Sequence, residues 1–357
     1  PGFYSYTAPP DDPLNYRLHL RLEADETGAL IVNASTVLHL NETAAAYAYF
    51  LIQQSTIEEI VTYLSKRYRV KKQLVEHDFA EFKDIIETLI TTPDLDPVLY
   101  LGMDLEKPYE HTSSAPMRLD LALTYEQPHG EEEASPHKRV DRELTTEEWK
   151  SIIQKAWDQG IPHVLFTGGE PTLRDDLVEL LQFSEDLGQV TGLLTNGKKL
   201  ADKNYLNSLL QAGLDHAVII LDPDEKNSWK SLASFNYWSH VLDEDIAITA
   251  HLTITEKNAD DIFEMVDKIA ETEVNSISLS VNSKDLMEVL DKARIYIDDK
   301  DMNLVWDIPV PYSHLNPVEL EMLIHEDVFE IADDENAVDG AGRGWLYVEP
   351  DGDVLPE

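Results

Sequence analysis

The amino-acid sequence predicts an α/β protein, a mainly parallel sheet preceded by a small module of three strands and three helices. Two observations carry this. Between Leu119 and Ile297, six short apolar runs alternate with amphipathic helical segments, the pattern of β–α units whose strands are covered on both faces. Between Tyr16 and Leu89, three alternating runs come first and three helical stripes follow.

In chain order, residues 1–13 hold four prolines and no usable periodicity, so an extended lead-in is expected. Tyr16 to Leu22 alternates apolar and polar residues as a strand. Ala29–Val32 and Thr36–Leu40 follow, with Asn33-Ala34-Ser35 as the turn between them. Helices are expected over Thr43–Gln54, from a Thr56 cap with Glu59 three residues on, and over Lys71–Ile90, where Leu74, Val75, Phe79, Phe82, Ile86 and Leu89 recur at helical spacing. Residues 91–116, with four prolines, read as a linker.

The stretch from Leu119 to Pro171 organises the larger part. Leu119-Asp120-Leu121-Ala122-Leu123 leads as a strand into a loop, and Thr145 with Glu148 forms a capping box for a helix through Trp149, Ile152, Ile153, Ala156 and Trp157. Gly160 stops that helix, and Val164-Leu165-Phe166 is a short buried strand ending in Thr167-Gly168-Gly169-Glu170-Pro171. The two tryptophans, eight apart, read as core. Strands then follow at Gly192–Asn196, Ala217–Leu221, Ala247–Thr253 and Ile277–Val281, each with its helix; Asn316–Leu320 could start a short one, and Gly344–Pro356 reads as a hairpin around Asp351-Gly352.

This strand–loop–helix–strand order, with Leu-Thr-Tyr at the first loop and Gly168-Gly169-Glu170-Pro171 at the second, resembles a radical SAM enzyme. The resemblance implies a partial (β/α)6 TIM-like barrel over 117–308, with S-adenosylmethionine cradled by Gly168, Gly169, Glu170 and Pro171 and its nucleoside near Thr195, Asn196 and Asp222. In the family the first loop carries three cysteines that ligate a 4Fe-4S cluster; the matching positions here are Gln127, Glu131 and Ala134. Residues 1–90 resemble the PqqD-like winged-helix domain, which recognises leader peptides of ribosomally made, modified peptides. That implies a peptide adding as a strand along Thr36, Val37, Leu38, His39 and Leu40 and lying against α-helical Val75 and Phe79. Residues 309–357 resemble a truncated SPASM extension, with Pro356-Glu357 where a Pro-Cys pair is expected.

Composition limits what these resemblances can mean. The 357 residues include no cysteine, and iron–sulfur clusters of this kind need thiolate ligands. The expectation is therefore no cofactor: no iron–sulfur cluster and no metal, with S-adenosylmethionine as a lesser alternative because Glu131, Glu132 and Glu133 would repel its carboxylate. His129 and His137 flank that acidic run, which reads as solvated rather than metal-binding, and the loop from Glu126 to Arg139 is expected to be mobile or folded away. A net charge of −41, from 69 acidic and 28 basic residues, disfavours nucleic acid and anionic membranes and suits a basic peptide. No apolar run has membrane-span length and no signal peptide opens the chain, so a cytoplasmic location is expected. The function expected is that of a radical SAM-like pseudoenzyme, a peptide-binding scaffold or partner of an active maturase. The alternatives are a non-radical enzyme, such as an S-adenosylmethionine-using transferase with its site at the barrel mouth, and an engineered cysteine-free chain.

Overall fold

The computed structural model describes residues 1–9, 12–14, 16–33, 36–92, 100, 114–128, 140–242, 246–272, 274, 276–300, 302–305 and 345–355. The chain divides into two compact units, Pro1–Met117 with Lys155–Pro162, and Arg118–Gln154 with His163–Glu357.

The first unit holds a four-stranded antiparallel sheet in the order β1 (Gly2–Thr7), β2 (Arg17–Leu22), β3 (Gly28–Val32) and β4 (Thr36–Leu40). The expected extended lead-in is thus corrected to a strand, paired with β2 from Gly2↔Leu22 to Thr7↔Arg17. Its aromatic residues explain why no alternation shows. Phe3 meets the Trp157 ring edge-on at 5.0 Å, while Tyr4 meets Tyr49 at 4.9 Å, so both faces are apolar. The module has four strands, not three.

Helix α1 (Glu42–Ile52) starts at Asn41, whose side chain accepts from the backbone N–H groups of Thr43 and Ala44. The Thr56–Glu59 capping box opens α2 (Ile57–Tyr68), and α3 (Lys72–Thr91) follows. The halves of α3 do different work. Phe82, Ile85, Ile86 and Leu89 join the sheet core with Leu18, Leu20, Leu30, Leu38 and Leu40. Val75 and Phe79 instead pack among the helices, with Tyr47, Ile60, Val61 and Leu64. Burying one such aliphatic side chain contributes roughly 1.5–3 kcal/mol, which fixes the two-cluster arrangement.

The second unit is built on a nine-stranded sheet. β5 (Arg118–Thr124), β6 (His163–Gly168), β7 (Val190–Thr195), β8 (His216–Ile220), β9 (Ala247–Ile254), β10 (Ser276–Val281) and β11 (Asn303–Leu304) lie side by side and parallel. Between and after the strands run α4 (Thr146–Asp158), α5 (Leu177–Leu187), α6 (Lys203–Gln211), α7 (Lys226–Leu242), α8 (Ile262–Ala270) and α9 (Met287–Asp298). The six expected strands are β5 to β10; β11 goes beyond them, two residues being too short to show a period. The hairpin of β12 (Trp345–Val348) and β13 (Val354–Leu355) forms around Asp351-Gly352, and β12 joins the sheet parallel to β5. Residues 306–344, including Asn316–Leu320, lie outside the described residues. Among the described residues no helix is long and apolar enough to cross a membrane.

Alternation assigns the two faces of this sheet. One set of positions is aliphatic throughout β9 and β10, namely Ala250, Leu252, Ile254, Ile277, Leu279 and Val281, all buried. The other set, which we call the inward face, carries Leu165, Leu194, Val218 and Ile220 as an apolar cluster across β6 to β8 and turns polar on β9 and β10.

Candidate functional site at the strand C-termini

The C-terminal ends of β5, β6 and β7 are held together by hydrogen bonds that the local sequence dictates. After β5, the chain continues past Tyr125 and Glu126 close against the loop that follows β6. Gly169 N–H donates to Thr124 O at 2.7 Å and Glu170 N–H to Glu126 O at 2.9 Å. This approach is why two glycines stand there. A Cβ on Gly168 would lie 2.2 Å from Thr124 O, and one on Gly169 2.2 Å from Glu126 O; Gly168 also has φ +123°. Pro171 then opens a single 3-10 turn, Pro171–Leu173.

The Glu170 carboxylate is 2% exposed and committed to the protein. Oε1 accepts from Thr172 N–H (3.1 Å), Thr172 Oγ1 (2.5 Å) and Thr195 Oγ1 (2.7 Å), and Oε2 accepts from Asn196 N–H (2.9 Å). It therefore ties the end of β6 to the end of β7. A carboxylate offers about four lone-pair sites, so Oε2 retains acceptor capacity beyond this one bond. Asn196 accepts from Lys198 N–H through Oδ1 (2.9 Å), the turn chemistry its sequence suggests, while its buried Nδ2 has no partner among the described residues. Asp222, at the end of β8, accepts from Asp224 N–H in a second such turn.

Charge is arranged around this strut. Burial disfavours the Arg174 charge, yet hydrogen bonds to Asp176 with the Asp176 and Glu143 charges outweigh it and hold the guanidinium above its ordinary range. Arg174 also donates to Leu123 O and Leu144 O. Burial, and then the charges of Glu170 and Asp175, push the Tyr205 phenol up. Tyr125 Oη donates to Glu349 Oε1 at 2.9 Å, joining the first loop to the C-terminal hairpin.

Among the residues picked out from the sequence, Gly168, Gly169, Glu170, Pro171, Thr195 and Asn196 come together here. Gln127 is buried, with Oε1 unpartnered among the described residues. Glu131, Ala134, His129, His137 and Glu357, and most of the Glu126–Arg139 loop, lie outside the described residues. In the first unit, Thr36 to Leu40 form β4, whose Leu38 and Leu40 are buried while Val37 is 42% exposed. Val75 is buried in the helical cluster, and Phe79 packs against it. Sequence reasoning missed the inward residues of β9 and β10: His251, Thr253, Ser278 and Ser280. Their signal was present as Ser276-Ile-Ser-Leu-Ser-Val281, a strand with serine at every second position.

Comparison with known proteins bears on this frame. Residues 127–227 match the model of the Radical SAM superfamily. Over these residues the chain is similar to that superfamily. A PqqA peptide cyclase of Rhizobium meliloti (strain 1021) is 28% identical over 233 residues, 61% of this chain and 60% of that protein. A PqqA peptide cyclase of Bradyrhizobium diazoefficiens is 34% identical over 122 residues, 31% of this chain and 32% of that protein. The chain thus spans less than two thirds of the length of either relative. Streptococcus suis SuiB bound to S-adenosylmethionine superposes with a TM-score of 0.65 at 19% identity, over 99% of this chain and 83% of SuiB. SuiB bound to its precursor peptide SuiA gives 0.60 at 19% identity, over 95% and 81%. At that identity the likeness is one of fold.

These matches overturn the cofactor-free expectation. The match of residues 127–227 to the Radical SAM superfamily points to S-adenosylmethionine use, and that superfamily carries the expectation of an iron–sulfur cluster with it. The site's residues fit the first group: a buried amide donor on Asn196 and spare acceptor capacity on Glu170 suit a ligand bearing hydroxyl and ammonium groups. They do not fit thiolate ligation of the second, since the chain has no cysteine, and no step below is routed through a cluster.

Proposed function

We propose that this chain is a peptide-recognition protein of the radical SAM peptide-maturase type, acting as scaffold or partner in the modification of a ribosomally made peptide. The observation that carries the reading is the β4 edge. Among the described residues β4 pairs with β3 alone, through Thr36↔Val32 to Leu40↔Gly28, and no strand lies on its other side. An exposed edge is a template for an added strand, whose backbone hydrogen bonds give affinity and whose alternate side chains give register. Support comes from SuiB, which shares this fold and is known bound to a precursor peptide, and from relatives named as peptide cyclases. The α3 side chains proposed to lie against such a strand are Val75 and Phe79. In the larger unit, Glu170, Thr195 and Asn196 would hold S-adenosylmethionine, which when bound supplies an activated sulfonium centre.

The test uses the full chain and a fluorescently labelled precursor-like peptide encoded beside its gene, read by anisotropy. Val37→Pro removes a backbone donor or distorts β4, and the loss of one or two strand hydrogen bonds at about 1 kcal/mol each weakens binding roughly tenfold. Unchanged affinity in a folded Val37→Pro protein would remove the β4 edge from the proposal.

A further inference from the structure

On the inward face of β9 and β10, four side chains form a closed polar group inside the sheet unit. His251 Nδ1 lies 3.1 Å from Ser278 Oγ, and His251 Nε2 lies 3.1 Å from Ser280 Oγ. Thr253 Oγ1 lies 3.1 Å from Ser280 Oγ and 3.4 Å from His251 Nε2. Each of the four is at most 4% exposed. Burial pushes the His251 imidazole down to about 4, so it is neutral at pH 7, and no charged group contributes to that shift.

A count of protons shows what the group lacks. A neutral imidazole has one N–H and one acceptor nitrogen, and each hydroxyl has one O–H. That makes four donors. If Nδ1 carries the proton it donates to Ser278, Nε2 accepts from Ser280 or Thr253, and the remaining hydroxyl of that pair donates to its partner; the Ser278 O–H is left over. If Nε2 carries it, Ser278 donates to Nδ1, Nε2–H donates to Ser280, and one O–H of the Ser280–Thr253 pair is left over. Among the described residues either tautomer leaves one buried donor without an acceptor, and a stranded donor is costly enough that native structures nearly always give it one. Moving the imidazole proton relocates the spare O–H between Ser278 and the Ser280–Thr253 pair. A ligand entering from the strand C-termini meets the pair first. Asn282, just past the end of β10 and next in the same alternation, adds a buried Oδ1 without a partner among the described residues.

We propose that His251, Thr253, Ser278 and Ser280 form a substrate subsite that donates one hydrogen bond to a neutral carbonyl oxygen of the bound peptide. This rests on the peptide reading above. A carboxylate is disfavoured because it would be buried beside four neutral groups without a counter-charge.

The test is a titration of the whole chain labelled with ring-15N histidine, with the His251 signal assigned by its disappearance in His251→Gln. N-methylacetamide is the peptide-group probe, sodium acetate the carboxylate probe, and S-adenosylmethionine the cofactor probe. The expected result is a saturable shift of the His251 ring nitrogens with N-methylacetamide and none with acetate. Thr253→Val with Ser280→Ala removes both mouth-ward hydroxyls and weakens the N-methylacetamide response at least tenfold. Ser278→Ala leaves the spare donor on the pair and stays within threefold, which also controls for folding. No saturable response to N-methylacetamide overturns the proposal, as does a stronger response to acetate or equal weakening by the two sets of substitutions. A response to S-adenosylmethionine alone reassigns the group to the cofactor and overturns the peptide assignment. Val37→Pro leaves this titration unchanged, so failure here and failure at the β4 edge are told apart.

Discussion

Replacing Glu170 tests whether this buried carboxylate is a strut before it is a ligand. Glu170→Ala strands four donors: the N–H groups of Thr172 and Asn196 and the hydroxyls of Thr172 and Thr195. The hydroxyls can rotate toward other acceptors, but the two backbone N–H groups are fixed. At about 1–3 kcal/mol for each buried donor left unsatisfied, the expected loss is about 4 kcal/mol. Thermal midpoints of units this size move by about 2–4 °C per kcal/mol, so a drop on the order of 10 °C is expected by circular dichroism. Glu170→Gln keeps one acceptor oxygen and gives up one charge-assisted bond, so its loss is smaller, about 1.5–3 kcal/mol. The order Ala, then Gln, then the parent is the signature of a strut. A Glu170→Ala protein within about 0.5 kcal/mol of the parent, the range of an ordinary surface change, would refute the reasoning.

Gly169→Ala places a Cβ 2.2 Å from Glu126 O and 2.8 Å from Tyr125 C, both backbone, so the two loops must separate; a loss of about 2–4 kcal/mol is expected in urea unfolding. Stability should also depend on pH through His251. Its folded value of about 4 lies below the ordinary 6.5, so the unfolded chain binds the proton first, and stability falls as pH drops from about 6.5 to about 4, with no further loss from this group below that. The slope it adds is at most about 1.4 kcal/mol per pH unit, and His251→Gln should flatten the midpoint-versus-pH curve by that increment between pH 6.5 and 5.

Much of the frame was legible because it rests on local chemistry. The capping boxes at Thr56 and Thr145 form as their residue types require, with Thr145 N–H donating to Glu148 Oε2 at 2.9 Å. Leucine, isoleucine or valine recurs in each of the six strand runs of the sheet, often enough for the runs to be read without knowing their order. β1 was not legible, because aromatic side chains on both of its faces hide the alternation that marks a half-buried strand. The different tasks of the two halves of α3 were hidden too: Val75 and Ile86 belong to one helical stripe, and only the tertiary arrangement sends them to different clusters. At the site, motif and spacing located Gly168 to Pro171 and Asn196, but not which of their polar atoms are already used. The serine alternation of β10 was visible, yet serine in a strand carries no sign of what faces it.

The distribution of used and spare hydrogen-bonding groups separates frame from function in this sheet. Gly168 and Gly169 are required by the approach of the β5 loop, and Glu170 by the junction of β6 with β7, whatever ligand is bound. A chain could change its chemistry at the mouth and still be held to these residues by stability alone, so their presence argues for the fold more strongly than for any one reaction. What a ligand can read are the groups the frame leaves over: the Asn196 amide, the second oxygen of Glu170, the Gln127 carbonyl and the spare hydroxyl beside His251. These are donors and neutral or shared acceptors, with no thiolate among them. Such a set favours recognition of amides, hydroxyls and an ammonium group by hydrogen bonding.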